Sequence, residues 1–135
     1  MEMNSTIGHI YLYVSDLGKS HDFYKKLLEY LGYKEKMKEN WGFAFINNGL
    51  SIWFEKARKG HIEKGYHRKR IGLNHLAFKV ESKEGVDKFF REFLKPEGIT
   101  TLYETPKAFT EYGHDYYAVF FEDPDRIKLE VAYHT

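Results

Sequence analysis

Two short stretches of the chain alternate between apolar side chains and a second set that includes a histidine. Residues 8–14 read Gly-His-Ile-Tyr-Leu-Tyr-Val, and residues 73–80 read Leu-Asn-His-Leu-Ala-Phe-Lys-Val. Because successive side chains of a β-strand point to opposite faces, a strand over either stretch can bury its aliphatic residues on one face. The pattern therefore predicts two strands, with His9 and His75 on the face opposite the core.

The two histidines belong to an internal repeat. They are 66 residues apart, and the same offset relates four further pairs without a gap: Val14 and Val80, Phe23 and Phe89, Leu28 and Leu94, Gly32 and Gly98. Half of a 135-residue chain is too small to bury a large core alone, so we expect two fused units in one domain. We place module one at residues 5–55, a connector at 56–70 and module two at 71–135.

The sequence pattern of each module predicts the element order βαβββ. In the first module, a helix over residues 17–31 has apolar residues spaced by three and four and ends near Gly32. In the second, a helix begins after Ser82 and ends before Pro96 and Gly98. The remaining predicted strands cover residues 33–37, 40–46, 50–55, 99–104, 116–121 and 127–133, with a loop over 105–113. The fold class is α+β.

Composition excludes several classes of function. The chain has 21 basic and 20 acidic residues, a net charge of +1, so a nucleic-acid surface is not expected. It has no cysteine, and no apolar run approaches the roughly 20 residues of a membrane span. The first residues lack the apolar core of a signal peptide, so we expect a cytoplasmic protein without nucleic-acid or membrane partners.

The connector, residues 56–70, is rich in positive side chains and ends in Tyr-His-Arg-Lys-Arg. One interpretation is a solvated linker. The other is a flap over a pocket, whose cations hold an anionic substrate.

A third polar residue joins the two histidines as a candidate metal ligand. In the last predicted strand, Glu130 lies on the phase opposite Leu129 and Val131. If both sheets curl around one centre, His9, His75 and Glu130 converge and hold a divalent metal, with sites left open for substrate. Zinc, iron(II), manganese and nickel all accept such ligands. Alternatively, the histidines are hydrogen-bonded core residues and Glu130 is an ordinary residue facing solvent.

These features together resemble the vicinal oxygen chelate superfamily, which includes glyoxalase I, bleomycin- and fosfomycin-resistance proteins and extradiol dioxygenases. The similarity rests on the twofold βαβββ repeat, on the histidines that open both copies, and on Phe-Glu-Asp-Pro-Asp-Arg-Ile-Lys-Leu-Glu-Val near the end. It implies a curved mixed eight-stranded sheet with helices on its convex side. It also implies that His9, His75 and Glu130 bind metal and that chains pair as homodimers, with the site inside one chain or across two.

One position departs from the glyoxalase I pattern. A fourth ligand position on the last strand of module one falls on Trp53, which cannot bind metal, although a shift of register would bring Glu55 there instead. We expect Tyr11, Tyr13, Trp53 and Tyr116 to line an aromatic substrate pocket, with Tyr117 an alternative to Tyr116. No catalytic base is evident; the candidates are His114 and Tyr117.

Two functions from different classes are consistent with this pattern. The first is a metal-dependent lyase, isomerase, transferase or dioxygenase acting on a small molecule with adjacent oxygens. The alternative is a metal-free protein of the bleomycin-resistance type, which binds and sequesters its ligand.

Overall fold

A computed structural model describes residues 2–112 and 115–135. The chain divides into two compact units, Met1–Gly65 and Tyr66–Thr135. The division falls within the predicted connector, and the last five connector residues belong to the second unit. No helix in the described residues is long and apolar enough to cross a membrane.

The first unit has the predicted βαβββ order, and its element ends lie within about two residues of the predicted ones. Its sheet has the strand order β1-β4-β3-β2, with β1 and β4 parallel and the other neighbours antiparallel. The elements are β1 (His9–Val14), α1 (Leu17–Tyr30), β2 (Lys34–Glu39), β3 (Gly42–Asn47) and β4 (Leu50–Lys56).

The second unit repeats this topology, with strand order β5-β8-β7-β6 and a parallel pair formed by β5 and β8. The α+β class and the two βαβββ modules are confirmed, and the strands are hydrogen-bonded as two four-stranded sheets. The elements are β5 (Leu76–Lys79), α2 (Lys83–Phe89) continuing as a π-helical turn (Phe90–Leu94), β6 (Thr101–Ala108), a 3₁₀ turn (Thr110–Tyr112), β7 (Tyr117–Glu122) and β8 (Lys128–Tyr133).

The repeat extends to the backbone at both helix ends. Gly32 and Gly98 both have positive φ, +96° and +70°, a conformation that glycine adopts without steric cost. Just beyond them, the Tyr33 N–H donates to the carbonyl of Leu28 at 2.8 Å, and the equivalent Ile99 N–H donates to that of Leu94 at 3.0 Å. Residues that are 66 positions apart therefore have the same backbone conformation and hydrogen bonding at the ends of the two helices.

Each helix packs on one face of its own sheet. In the first unit, Tyr24 of α1 lies 4.3 Å from Phe54 of β4 between ring centroids, and both are fully buried. In the second, Phe89 of α2 lies 5.5 Å from Phe121 of β7, also buried. Burial of such rings contributes about 1.5–3 kcal/mol each and fixes the helix on the sheet. The opposite sheet faces carry the candidate site residues.

The predicted strand over 73–80 is too long at its start, because β5 begins at Leu76. The Tyr66 hydroxyl donates to the carbonyls of Leu73 and Asn74, at 2.5 and 3.0 Å. Gly72, with φ of +133°, redirects the chain just before them. His75 therefore lies immediately before the strand, whereas alternation alone placed it inside.

The predicted strand over 99–104 and loop over 105–113 are also wrong in extent. Strand β6 runs from Thr101 to Ala108 across a bulge, where its register with β7 shifts between Leu102 and Lys107. The Thr105 hydroxyl donates to the Leu102 carbonyl at 2.6 Å and accepts the Phe120 N–H at 3.0 Å. This side chain replaces a ladder bond inside the bulge, which the predicted loop over 105–113 did not anticipate.

Candidate metal centre

Glu130 lies in the middle of β8, hydrogen-bonded on both sides by neighbouring strands. Its register partners are Ala77 in β5 and Phe120 in β7. The side chain is fully buried, with 0% exposure, so the interpretation of Glu130 as a solvent-facing residue is wrong. A buried carboxylate is costly unless each oxygen has a partner, which makes its two contacts informative.

One carboxylate oxygen is held by a tyrosine. The Tyr116 hydroxyl donates a 2.5 Å hydrogen bond to Glu130 Oε2. Burial, and then this bond, raise the pKa of the Tyr116 hydroxyl well above its ordinary value of 10.0. Tyr116 therefore remains protonated at neutral pH and acts as a fixed donor to the carboxylate.

The other oxygen, Glu130 Oε1, is buried and accepts no hydrogen bond from the described residues. Its close polar neighbour is Nε2 of His75, at 3.0 Å, but no hydrogen bond joins the two atoms. Leaving a buried acceptor unpaired costs about 1–3 kcal/mol, and more for a charged group. The protein thus places a buried carboxylate oxygen that accepts no hydrogen bond from the described residues beside an imidazole nitrogen.

His75 is held in the orientation and tautomer that a metal ligand requires. Its Nδ1 lies 2.8 Å from Asn74 Oδ1, and the Asn74 Nδ2 donates to the carbonyl of Arg68 at 3.2 Å. Because the amide nitrogen is engaged by that carbonyl, the amide oxygen faces His75 and accepts the proton on Nδ1. In a neutral ring, Nε2 then presents its lone pair, and the side chain remains 35% exposed.

The two side chains fit one metal ion. Ligand atoms about 2.1 Å from a metal and at right angles to each other are about 3 Å apart. The 3.0 Å between His75 Nε2 and Glu130 Oε1 matches this separation. Within residues 2–112 and 115–135, no group of three His, Cys, Asp or Glu side chains that could hold a metal is formed.

The predicted third ligand, His9, belongs to the first unit. It is the first residue of β1, pairs in register with Ser51 and is exposed to solvent. Its role as a metal ligand stays a prediction.

The first unit presents an open aromatic surface on the predicted pocket phase. The rings of Tyr11 and Trp53 are stacked, with centroids 6.4 Å apart and planes 2° apart, and Tyr13 packs edge-on against Tyr11. Tyr11 and Tyr13 are 46% and 52% exposed, and Trp53 is half-buried. Glu55 accepts a 2.7 Å hydrogen bond from the Tyr11 hydroxyl, and this bond raises the pKa of Tyr11. The predicted pocket residues Tyr11, Tyr13 and Trp53 thus share one sheet face, with Glu55 beside them.

The two candidate catalytic bases have different outcomes. His114 lies outside the described residues. Tyr117 lies next to Tyr116, but its hydroxyl donates to Asp87 of α2 at 2.7 Å, and this bond raises the pKa of Tyr117 to about 12. It links β7 to the helix, whereas Tyr116 contacts the carboxylate.

Two contacts of the site were not predicted from the sequence. Tyr116 was expected in the pocket, but its bond to Glu130 was missed. Asn74 was also missed, although its position directly before His75 was a usable signal.

Comparison with known proteins agrees with this architecture. The profile of the Glyoxalase/Bleomycin resistance protein/Dioxygenase superfamily matches residues 6–131, so the chain belongs to this superfamily. The family resemblance inferred from the sequence is thereby confirmed.

Particular relatives support the same assignment. The uncharacterized protein YqjT of Bacillus subtilis is 45% identical over 92% of this chain and 95% of its own length. A structure from Bacillus halodurans, described as a glyoxalase candidate, is 36% identical, with a TM-score of 0.85 and 95% coverage of both chains. The fosfomycin resistance protein FosX of Listeria monocytogenes is 25% identical, with a TM-score of 0.70 and coverage of 98% of this chain and 96% of its own. FosX has also been crystallised with Mn(II) and sulfate.

Proposed function

We propose that this protein is a metal-dependent enzyme acting on a small molecule with adjacent oxygen atoms, and that His9, His75 and Glu130 hold the metal. The observation that carries the proposal is the buried Glu130 Oε1, which lies beside His75 Nε2 and accepts no hydrogen bond from the described part of the chain. A structural carboxylate at this position would gain stability from a donor to that oxygen. A ligand carboxylate has to keep the oxygen available.

The surroundings of the two residues support the proposal. Tyr116 fixes one oxygen of Glu130, and Asn74 fixes the ring of His75, so both side chains are oriented before any ion arrives. Imidazole and carboxylate ligands suit Zn, Fe(II), Mn or Ni, and FosX, a relative in the same fold family, has been solved with Mn(II). When bound, a divalent metal would act as a Lewis acid toward the oxygens of the substrate.

Other parts of the chain would serve the substrate. The stacked Tyr11 and Trp53 offer a flat apolar surface for a planar or amphipathic molecule. Tyr117 is a poor candidate for a general base at neutral pH, because its pKa of about 12 keeps the hydroxyl protonated. His114 stays the candidate base. We further propose a cytoplasmic homodimer, the arrangement that the family resemblance implies, without membrane partners. The nearly balanced charge supports the absence of nucleic-acid partners.

Metal analysis of protein purified without an affinity tag tests this function. We expect about one divalent ion per chain in the wild type and at least a tenfold loss of metal affinity in His9→Ala, His75→Ala and Glu130→Gln. His61→Ala is the matched control, because His61 is exposed in the connector and should leave the metal content unchanged. A wild-type protein that takes up no metal, or a control that loses as much as the three variants, would overturn the proposal.

The second candidate function is metal-free binding of an aromatic ligand, as in bleomycin-resistance proteins. The exposed aromatic surface of Tyr11, Tyr13 and Trp53 is the observation that favours it. In that case an aromatic ligand should quench tryptophan fluorescence in chelator-treated protein, and Tyr11→Ala should weaken binding. Binding that requires added metal would favour the enzyme instead.

A further inference from the structure

A second polar site lies in the second unit, in the segment that the sequence marked as a cationic connector. Tyr66, His67, Arg68, Lys69 and Arg126 line a cavity of about 240 Å³. None of the five is acidic, and none is among the proposed metal ligands. We propose that this cavity binds a phosphate-type oxyanion.

The charge balance of the cavity favours an anion. Glu122 Oε2 accepts a 2.7 Å hydrogen bond from Arg68 Nη1 and lies 3.5 Å from Arg126 Nε, so one carboxylate serves two guanidinium groups. Lys69 adds a third positive charge to the lining. Once the carboxylates of Glu122 and of Asp123, which acts on Tyr66, are both counted, a surplus of about one positive charge remains and favours an anion. A guanidinium group can donate two parallel hydrogen bonds to a phosphate.

Arg126 stands at a position that an arginine normally avoids. Its φ is +65°, in the left-handed region, where a residue with a Cβ is strained relative to glycine. The β7–β8 turn holds it there, because the Arg126 N–H donates to the Asp123 carbonyl and Asp123 Oδ1 accepts the Ile127 N–H. Strain of this kind is typical of functional sites. The turn thereby holds the Arg126 guanidinium at the cavity, 3.5 Å from Glu122.

The opposite wall is fixed in advance. The Tyr66 hydroxyl donates to the carbonyls of Leu73 and Asn74, and the Asn74 side chain donates back to the Arg68 carbonyl. The Lys69 N–H donates to His67 Nδ1 at 3.1 Å, which closes a tight turn. Arg68 itself is only 22% exposed. Less conformational entropy is therefore lost when an ion enters, which strengthens binding.

Calorimetric titration of chelator-treated protein with inorganic phosphate tests the proposal, with chloride at equal ionic strength as the blank. Removing the metal keeps phosphate from binding at the proposed metal centre, so failure here is distinguishable from failure of the proposed function. We expect saturable binding of about one phosphate per chain. The same titration in a Glu130→Gln background should give the same affinity.

The informative variant is Arg126→Gly, which removes a cation and relieves the positive φ. We expect at least a tenfold loss of phosphate affinity together with an unchanged or higher melting temperature, so misfolding cannot explain the loss. Arg91→Gln is the matched control, because Arg91 is an exposed arginine outside the cavity and its loss should leave affinity within twofold.

Three results would overturn the proposal: no phosphate binding beyond the chloride blank, full affinity in Arg126→Gly, or an equal loss in Arg91→Gln, which would indicate diffuse electrostatics. Phenyl phosphate distinguishes the two sources of the ligand. Tighter binding of this monoester than of inorganic phosphate supports a phosphate group carried by an organic molecule. Equal or weaker binding supports the free ion.

Discussion

Replacing Glu130 by glutamine should separate the stability of the fold from its capacity to bind metal. Glu130 Oε1 is buried and accepts no hydrogen bond from the described residues, and His75 Nε2 lies 3.0 Å away. A glutamine amide can donate to that nitrogen while its oxygen continues to accept from Tyr116. We therefore expect Glu130→Gln to stabilise the metal-free protein by about 1 kcal/mol, the lower end of the cost of an unpaired buried acceptor.

That gain corresponds to a rise in melting temperature of roughly 3–5 °C for a chain of this size. Thermal unfolding in the presence of a chelator measures it. With metal at about 100 times its dissociation constant, the wild type should gain about 2.7 kcal/mol and the variant far less, so the order of stability reverses. Few interactions other than ligand binding at Glu130 predict such a reversal.

The matched control is Glu122→Gln. Glu122 is a partly buried carboxylate whose Oε2 is bonded to Arg68 at 2.7 Å, so its neutralisation should lower stability by about 1 kcal/mol with and without metal. If Glu130→Gln lowers the stability of the metal-free protein as Glu122→Gln does, then Glu130 and His75 form a structural ion pair, and the reasoning is refuted.

Three further predictions concern neighbouring groups. Asn74→Ala should lower metal affinity by about 10- to 100-fold, because it releases the ring of His75. The control Asn40→Ala should leave metal affinity unchanged. Metal titration measures both variants, and equal affinities would contradict the prediction. Metal affinity should fall as pH drops below about 6, because a coordinating imidazole must be neutral; binding unchanged at pH 4.5 would exclude histidine ligands. Because the bond to Asp87 raises the pKa of Tyr117 from 10.0 to about 12, its stabilisation is complete below pH 10 and is lost as pH rises toward 12. Urea unfolding at pH 8 and 11.5 should therefore show a smaller difference between wild type and Tyr117→Phe at the higher pH, and a constant difference would contradict it.

The periodicity of the sequence predicted the fold well because the signals were local. Alternation, helical spacing and the two glycines that end the helices specify βαβββ twice, and the 66-residue offset relates them. Predictions failed where a side chain replaces a backbone partner. Tyr66 binds carbonyls before β5, and Thr105 bridges the bulge in β6. Such contacts depend on tertiary structure, which no local pattern records.

The candidate site shows the same division. The phase of β8 separated Glu130 from Leu129, but alternation could not show that Glu130 is fully buried or that Tyr116 holds it. Both the burial of Glu130 and its contact with Tyr116 depend on the tertiary position of β8, between β5 and β7. The cationic segment was recognised from its charge, yet its partner Arg126 is 57 residues further along the chain than Lys69 and was not predicted.

The most direct test is a crystal structure of the metal-loaded, untagged protein, with the ion located by anomalous scattering. The account predicts one peak about 2.0–2.2 Å from Glu130 Oε1, His75 Nε2 and a nitrogen of His9, whether His9 comes from the same chain or from a second copy. An ion bound elsewhere, with Glu130 Oε1 still without a ligand contact, would contradict it.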